Sequence, residues 1–302
     1  MNTHWYKGLF CALPLLLPGL ATTAFAADQV IIVKSSDNSY FNHSIETLIN
    51  HVDEAVRFKT LMAKDLPQSF ENGDNNRIFV TLGAPAAEAV GRMDSGLDSF
   101  GAYLTHEQFD RLQHRNRSVV LLDQPLHRYL AFCKLILGIE SVGIIDEREI
   151  ELNRPETEVL NKLDLVLNQY RIDPLNKLLP VLRNLLRQND ALLMLPRQSI
   201  YNRDSLKGVL LTSYRNRKPA ISYSPAHVKS GALASIYSSP TDIGRHLAQL
   251  INRKLKNPAS RVPAYQYARF YTIATNRRVA RALGIDLPAE GELRSAIDGL
   301  EP

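Results

Sequence analysis

AISYSPAHVKSGALASIYSSPTDIGRHLAQL, residues 220–250, reads as a strand, a turn, a second strand and a capped helix. Ala220–Tyr223 is a short apolar strand ending at polar Ser224, and Gly231–Tyr237 is a second. Ser239 is the expected N-cap of the helix that follows. Pro240 takes its first position, and Asp242 stands three residues after the cap, as in a capping box. Ile243, Leu247, Leu250, Ile251 and Leu255 keep helical spacing, so one face of this helix is buried.

The same alternation runs outward in both directions. Val30–Val33, Phe58–Met62, Arg77–Leu82 and Ser118–Leu122 read as strands. Helices at about Tyr40–Val56, Ala84–Met93 and Leu126–Leu137 separate or follow them. A second series takes in strands at Val142–Ile145, Asp164–Leu167 and Ala191–Leu195, with helices over about Asn176–Gln188 and Ser205–Tyr214. Continuous apolar strands between amphipathic helices indicate parallel sheets covered on both faces. The two series predict two α/β lobes, and 302 residues are enough to bury a core in each.

Met1–Ala26 has the pattern of a secretory signal peptide: a lysine at position 7, a mostly apolar run over Leu9–Leu20 and a small-x-small site at Ala24-Phe25-Ala26. The run is short and broken by Pro14 and Pro18, which argues against a retained membrane anchor. Cys11 follows Phe10 and sits too early for a lipoprotein site. Cleavage removes it and leaves Cys133 alone in an apolar helical run, as a buried structural thiol without a disulfide partner. The formal net charge of +5 is mild and dispersed, so nucleic acid is not an expected partner. Two basic clusters, Arg111/His114/Arg115/Arg117 and Arg253/Lys254/Lys256, read as solvated surface.

Two segments carry a family resemblance. One is the pair of strands ending in Gly231-Ala232-Leu233-Ala234-Ser235, followed by a helix with Ile243-Gly244 near its start. The other is Asn276, Ala280 and Leu283-Gly284-Ile285-Asp286-Leu287-Pro288. Together they resemble the ABC transporter substrate-binding proteins of the tryptophan/tyrosine type, most clearly over Asp190–Pro288. The resemblance implies two Rossmann-like lobes with parallel sheets in the type I periplasmic binding protein architecture. The family's threading implies crossings near Gly138-Ile139-Glu140, near Ser238 and near Pro258–Val262. Residues 27–138 and 239–257 then form lobe 1, and residues 139–238 and 258–302 form lobe 2.

In open α/β sheets ligands bind beyond the carboxyl ends of the strands. Candidate ligand contacts are therefore Ser35, Ser36 and Asn38 after the first strand, and Thr81, Gly83 and Ala84 at the Gly-containing turn. Gln124, Arg197, Tyr223 and Tyr237 complete the set, and Tyr40, Tyr170 and Tyr201 offer further ring faces. Gly83 allows close approach, and the helix start behind it can hold a carboxylate. The same turn also reads as a plain strand-to-helix connection, and Ser35–Asn38 as an Asx turn capping the next helix. The chain departs from the family in two places. Relatives carry an acid where Pro196-Arg197-Gln198 stands, and an aspartate and tyrosine where Ser238-Ser239-Pro240 stands. Both losses count against an amino-acid ammonium, and Arg197 points instead toward a ligand bearing an anion.

Enzyme motifs are lacking. Ser36-Asp37-Asn38 matches a β-lactamase triplet, yet no serine stands three residues before a lysine. G-x-S-x-G, H-E-x-x-H and P-loop patterns are absent, and the histidines lack metal-ligand spacing. The expectation is a periplasmic solute-binding protein, not an enzyme. It would use no cofactor, bind a small molecule, dock on an ABC permease and have no membrane anchor after cleavage. The alternatives are a periplasmic sensor or accessory protein of the same fold and, last, an unrecognised enzyme. N-terminal sequencing of exported protein should find Ala27 first. A membrane fraction retaining Met1–Ala26 would contradict this.

Overall fold

The computed structural model describes residues 29–53, 55–67, 77–93, 98–112, 117–173 and 177–301. The expected leader Met1–Ala26 lies outside them, as do His114 and Arg115.

In chain order the first elements are β1 (Gln29–Lys34), α1 (Ser39–Asn50), β2 (Arg57–Met62), β3 (Arg77–Leu82), α2 (Ala84–Gly91), β4 (Asp98–Leu104), α3 (His106–Arg111) and β5 (Arg117–Leu121). There follow α4 (Leu126–Leu137), β6 (Ser141–Asp146), α5 (Arg154–Leu163), β7 (Val166–Arg171), α6 (Leu178–Gln188), β8 (Ala191–Leu193), α7 (Arg203–Arg215), β9 (Ala220–Ser222), α8 (Pro225–Ser230) and β10 (Ala234–Tyr237). The chain finishes with α9 (Pro240–Lys256), β11 (Tyr265–Tyr267), β12 (Thr272–Thr275), α10 (Arg277–Leu283) and α11 (Glu290–Asp298).

These strands make two six-stranded sheets. The first runs β11–β5–β4–β3–β1–β2, parallel throughout. The second runs β12–β10–β9–β8–β6–β7, with β12 antiparallel to β10. The central strands are buried on both faces, Val30–Val33 in β1 and Val142, Ile144 and Ile145 in β6, because helices cover each sheet on both sides.

α9 lies on the first sheet, although the residues just before it belong to the second. Its Ile243, Leu247, Leu250, Ile251 and Leu255 pack with Val30, Ile32, Ile78 and Val80. Ser239 and Asp242 close the expected capping box. Lys254 and Lys256 at its end are ion-paired with Asp98 and Asp53 at 3.0 Å each, so this basic cluster is partly tied down.

Two of the expected crossings move. α4 packs on the second sheet, where Tyr129, Phe132, Cys133 and Ile136 join the core containing Val142, Ile144 and Leu193. The first crossing therefore lies before α4, at Asp123–Pro125, and not at Gly138–Glu140. Tyr265–Ile273 also splits: β11 extends the first sheet and β12 the second. The third crossing is thus Ala268–Tyr271 and not Pro258–Val262. A helix after a strand can fold back on its own sheet or on the next one, and apolar periodicity is the same either way. The second crossing falls at Ser238, between β10 and α9.

β4 has no counterpart in the apolar pattern of the sequence, because Ser99, Gly101 and Ala102 interrupt it. A Cβ on Gly101 would stand 3.1 Å from both Thr81 and Val119 side chains. Cys133 is buried and free, and burial pushes its thiol pKa up.

Gly244 explains the Ile-Gly pair in α9. A Cβ there would lie 2.6 Å from the Ser44 carbonyl oxygen and 2.8 Å from Thr47 Cβ, so α1 and α9 touch backbone to backbone. Gly244→Val should cost about 3 kcal/mol through overpacking. Gly291→Ala, whose Cβ meets nothing within 4 Å, should be close to neutral. Denaturant unfolding of both variants measures the difference.

Candidate functional site

Residues beyond the carboxyl ends of strands from both sheets line one cleft, and the chain crosses between the lobes three times. One hydrogen-bond network ties the crossings together. Gln124 donates from Nε2 to Ser238 Oγ at 2.8 Å, and Ser238 Oγ donates to the Phe270 carbonyl at 3.0 Å. Buried Arg128 donates to Gln124 Oε1 at 2.6 Å and to the Ala268 carbonyl at 3.0 Å. Its guanidinium lies 4.9 Å from the Tyr271 ring centroid, and its Nε is paired with Glu301. Burial pushes the Glu301 carboxyl up. Hydrogen bonds from His127 and Arg128, with the Arg128 charge, outweigh this and bring it down to about 2.

Two cavities open from the cleft, each of about 440 Å³. The first is aromatic. Tyr40 and Phe41 reach it from the start of α1, Tyr103 from β4, and Tyr223 and Tyr237 from the ends of β9 and β10. Tyr103 has φ of +62° at a register shift in β4, an uncommon conformation for a bulky residue. It is held there by a 2.6 Å hydrogen bond between its hydroxyl and Ser44 Oγ, and by edge contact with Phe41. Burial pushes the Tyr103 hydroxyl up to about 12. Tyr223 meets His227 edge-on, and His227 is fixed by a 2.7 Å bond to Ser222 Oγ.

The second cavity is acidic. The Asp146–Asn153 segment after β6 and the Glu107 and Asp110 side chains of α3 line it, with Arg148 and Arg197. Arg197 Nε is bound to Asp146 Oδ2 at 2.8 Å, so its charge is already balanced. Asp123, Tyr129 and Pro196 border both cavities.

The residues singled out from sequence divide accordingly. Asn38, Tyr223 and Tyr237 border the aromatic cavity, and Gln124 and Arg197 the acidic one. Ser35, Ser36, Thr81, Gly83 and Ala84 border neither. Ser35 Oγ donates to the Leu82 carbonyl and accepts from the Ala86 amide at 3.0 Å. Gly83 N–H goes to the Ala102 carbonyl, and Pro85 has none. The start of α2, expected to hold an anion, is thus occupied by a serine of the same chain. A Cβ on Gly83 would lie 2.8 Å from Ser35 Oγ, so Gly83→Val would disturb the scaffold itself. Asn38 caps α1 through the Phe41 amide at 2.9 Å, which is the Asx-turn reading. Ser36 accepts from Asn38 Nδ2.

Tyr103, Phe41 and Tyr129 escaped the sequence selection. Asp123 stands in the turn after the strand ending at Leu122, where the sequence places a candidate contact, but the residue selected from that turn is Gln124. Tyr103 could not have been found, because β4 is unmarked. Among the described residues no three His, Cys, Asp or Glu side chains are placed to hold a metal ion.

No protein-family model matches the sequence, and no curated protein does. Solved structures match over nearly the whole chain. A substrate-binding protein with adhesive properties from Clostridium difficile, ligand-free and open, aligns with a TM-score of 0.62 at 12% identity, over 87% of this chain and 97% of that one. An ABC domain from Streptococcus pneumonia in complex with L-Trp aligns at 0.53 and 16%, over 88% and 98%. A conserved domain protein from Vibrio cholerae aligns at 0.52 and 15%, over 89% and 98%. The chain has the type I periplasmic binding protein fold. At such identities the likeness carries the fold alone.

His246 of α9 accepts from the Arg269 amide, on the third crossing, at 3.2 Å. Burial lowers its pKa from 6.5 to about 4. A hydrogen bond with Gln266 opposes this, and the Arg269 and Arg253 charges add to it. The unfolded chain takes up a proton near pH 6.5 that the folded chain refuses until about pH 4. Stability from this site is complete above pH 6.5 and is lost as pH falls toward 4, by about 3 kcal/mol. Urea unfolding from pH 7 to pH 4.5 should show a smaller loss for His246→Asn than for the parent.

Proposed function

We propose that this chain is a periplasmic solute-binding protein that closes its two lobes on a small ligand in the aromatic cavity. The observation that carries the reading is the position of that cavity. It lies beyond the carboxyl ends of strands from both sheets and is walled by residues of both lobes, with Asp123 of the first crossing and Ser238 of the second in its wall. A ligand touching both walls stabilises the closed arrangement over the open one by its contacts to the second wall. The named functions of the structural neighbours, substrate binding and a complex with L-Trp, support a binding role. Export through the Met1–Ala26 leader and docking of the closed form on an ABC permease complete the proposal. Among the described residues no helix is long and apolar enough to cross a membrane.

The test is a screen of small solutes by thermal melting, followed by small-angle scattering. A ligand at a hundred times its Kd adds about 2.7 kcal/mol to the folded state. A true ligand should raise the melting temperature and shrink the radius of gyration, and Tyr237→Ala should weaken it at least tenfold. Solutes that raise the melting temperature without compaction, and equally in Tyr237→Ala, would refute the closing cleft.

A further inference from the structure

The chemistry of the solute can be taken further, on the footing of the solute-binding reading. The aromatic cavity has one charged residue in its wall, Asp123. Its Oδ2 accepts from the His106 amide at 2.7 Å, whereas its Oδ1 is buried with no hydrogen-bond partner in the protein. A buried carboxylate oxygen without a donor is costly, and a donor brought by a ligand removes that cost.

A ligand carboxylate, by contrast, loses both seats that the sequence suggested for it. The start of α2 is filled by Ser35, through its bond from the Ala86 amide. Arg197 borders the other cavity and is committed to Asp146. The aromatic wall contains no lysine, arginine or histidine. The adjoining acidic cavity, which shares Asp123 with the aromatic one, sets eight carboxylate residues against two arginines, and it stays acidic after Arg197 balances Asp146 and Arg111 balances Glu107. Such a lining concentrates cations at the entrance and repels anions. The rings of Tyr40, Tyr103, Tyr223 and Tyr237 suit an aromatic body and the face of a cation.

We infer that the cleft takes an aromatic monoamine lacking a carboxylate, whose ammonium pairs with the Asp123 carboxylate and whose ring lies among the four tyrosines. Burial also pushes the Asp123 carboxyl up, opposed by the His106 amide and the Arg197 charge. A bound ammonium adds opposite charge that favours the ionised form. The departures at Pro196-Arg197-Gln198 and Ser238-Ser239-Pro240 then have a reason: the acid that meets the amine has moved to the first crossing.

Titration calorimetry with tryptamine, tyramine and L-tryptophan tests this. Tryptamine or tyramine should bind at least tenfold tighter than L-tryptophan. Asp123→Asn keeps an oxygen for the His106 amide but loses the charge, and should weaken the amine at least tenfold. Tyr40→Ala, at a side chain 60% exposed, should weaken it severalfold without disturbing the fold. Equal or tighter binding of L-tryptophan, or amine binding unchanged in Asp123→Asn, would overturn the inference. If a sugar or an amino acid compacts the protein and neither amine binds, the amine assignment falls and the solute-binding reading stands. If no solute compacts it, both fall.

Discussion

Everything in this molecule that concerns the cleft depends on one buried guanidinium. Arg128 stands at the start of α4, where the chain has just left the first lobe. Its hydrogen bonds reach Gln124 on the first crossing and Ala268 on the third, and Gln124 passes the link to Ser238 on the second. Three separate strands of chain thus share one set of donors and acceptors. A buried arginine is costly unless each N–H is used and the charge is paired. Glu301, far away in sequence, supplies the charge. The arrangement fixes where the lobes are joined.

The cleft follows from the sheets. Parallel strands deliver their carboxyl ends to one edge, so each lobe presents its loops to the other. What differs from loop to loop is whether its polar groups are spent locally. The turn after β1 spends its groups on the start of α2, through Ser35, and on its own helix α1, through Asn38. The loop after β5 does not: Asp123 keeps one carboxylate oxygen without a partner. Ligand chemistry is read from that imbalance, since groups already satisfied by the fold have little left to give.

The close contact of α1 with α9 shows how a crossing is paid for in packing. α9 returns to the first lobe and must sit against a helix formed about two hundred residues earlier. Gly244 lets the two backbones meet, and Ser44 of α1 accepts the partnership by donating to the Pro240 carbonyl at 2.8 Å.

Much of this was legible in the chain. Apolar runs of strand length, helical spacing and the Ser239-Pro240-Thr241-Asp242 cap are local signals, and they located most strands and α9 because burial on both faces demands continuous apolar residues. β4 was not legible, since a strand crowded between neighbours can be built of small residues. The lobe to which α4 and Tyr265–Tyr267 belong was not legible either, because an apolar face does not say which sheet it meets. The site divided along the same line. Tyr223, Tyr237 and Asn38 follow strands and could be placed at the cleft from sequence alone. That Ser35 fills the start of α2, that Arg197 is held by Asp146, and that Asp123 is left with a free oxygen are facts of long-range contact. The sequence determines which groups are available at the strand ends, and only the tertiary structure decides which remain unpaired, because a hydrogen bond between distant segments exists only once the lobes have folded.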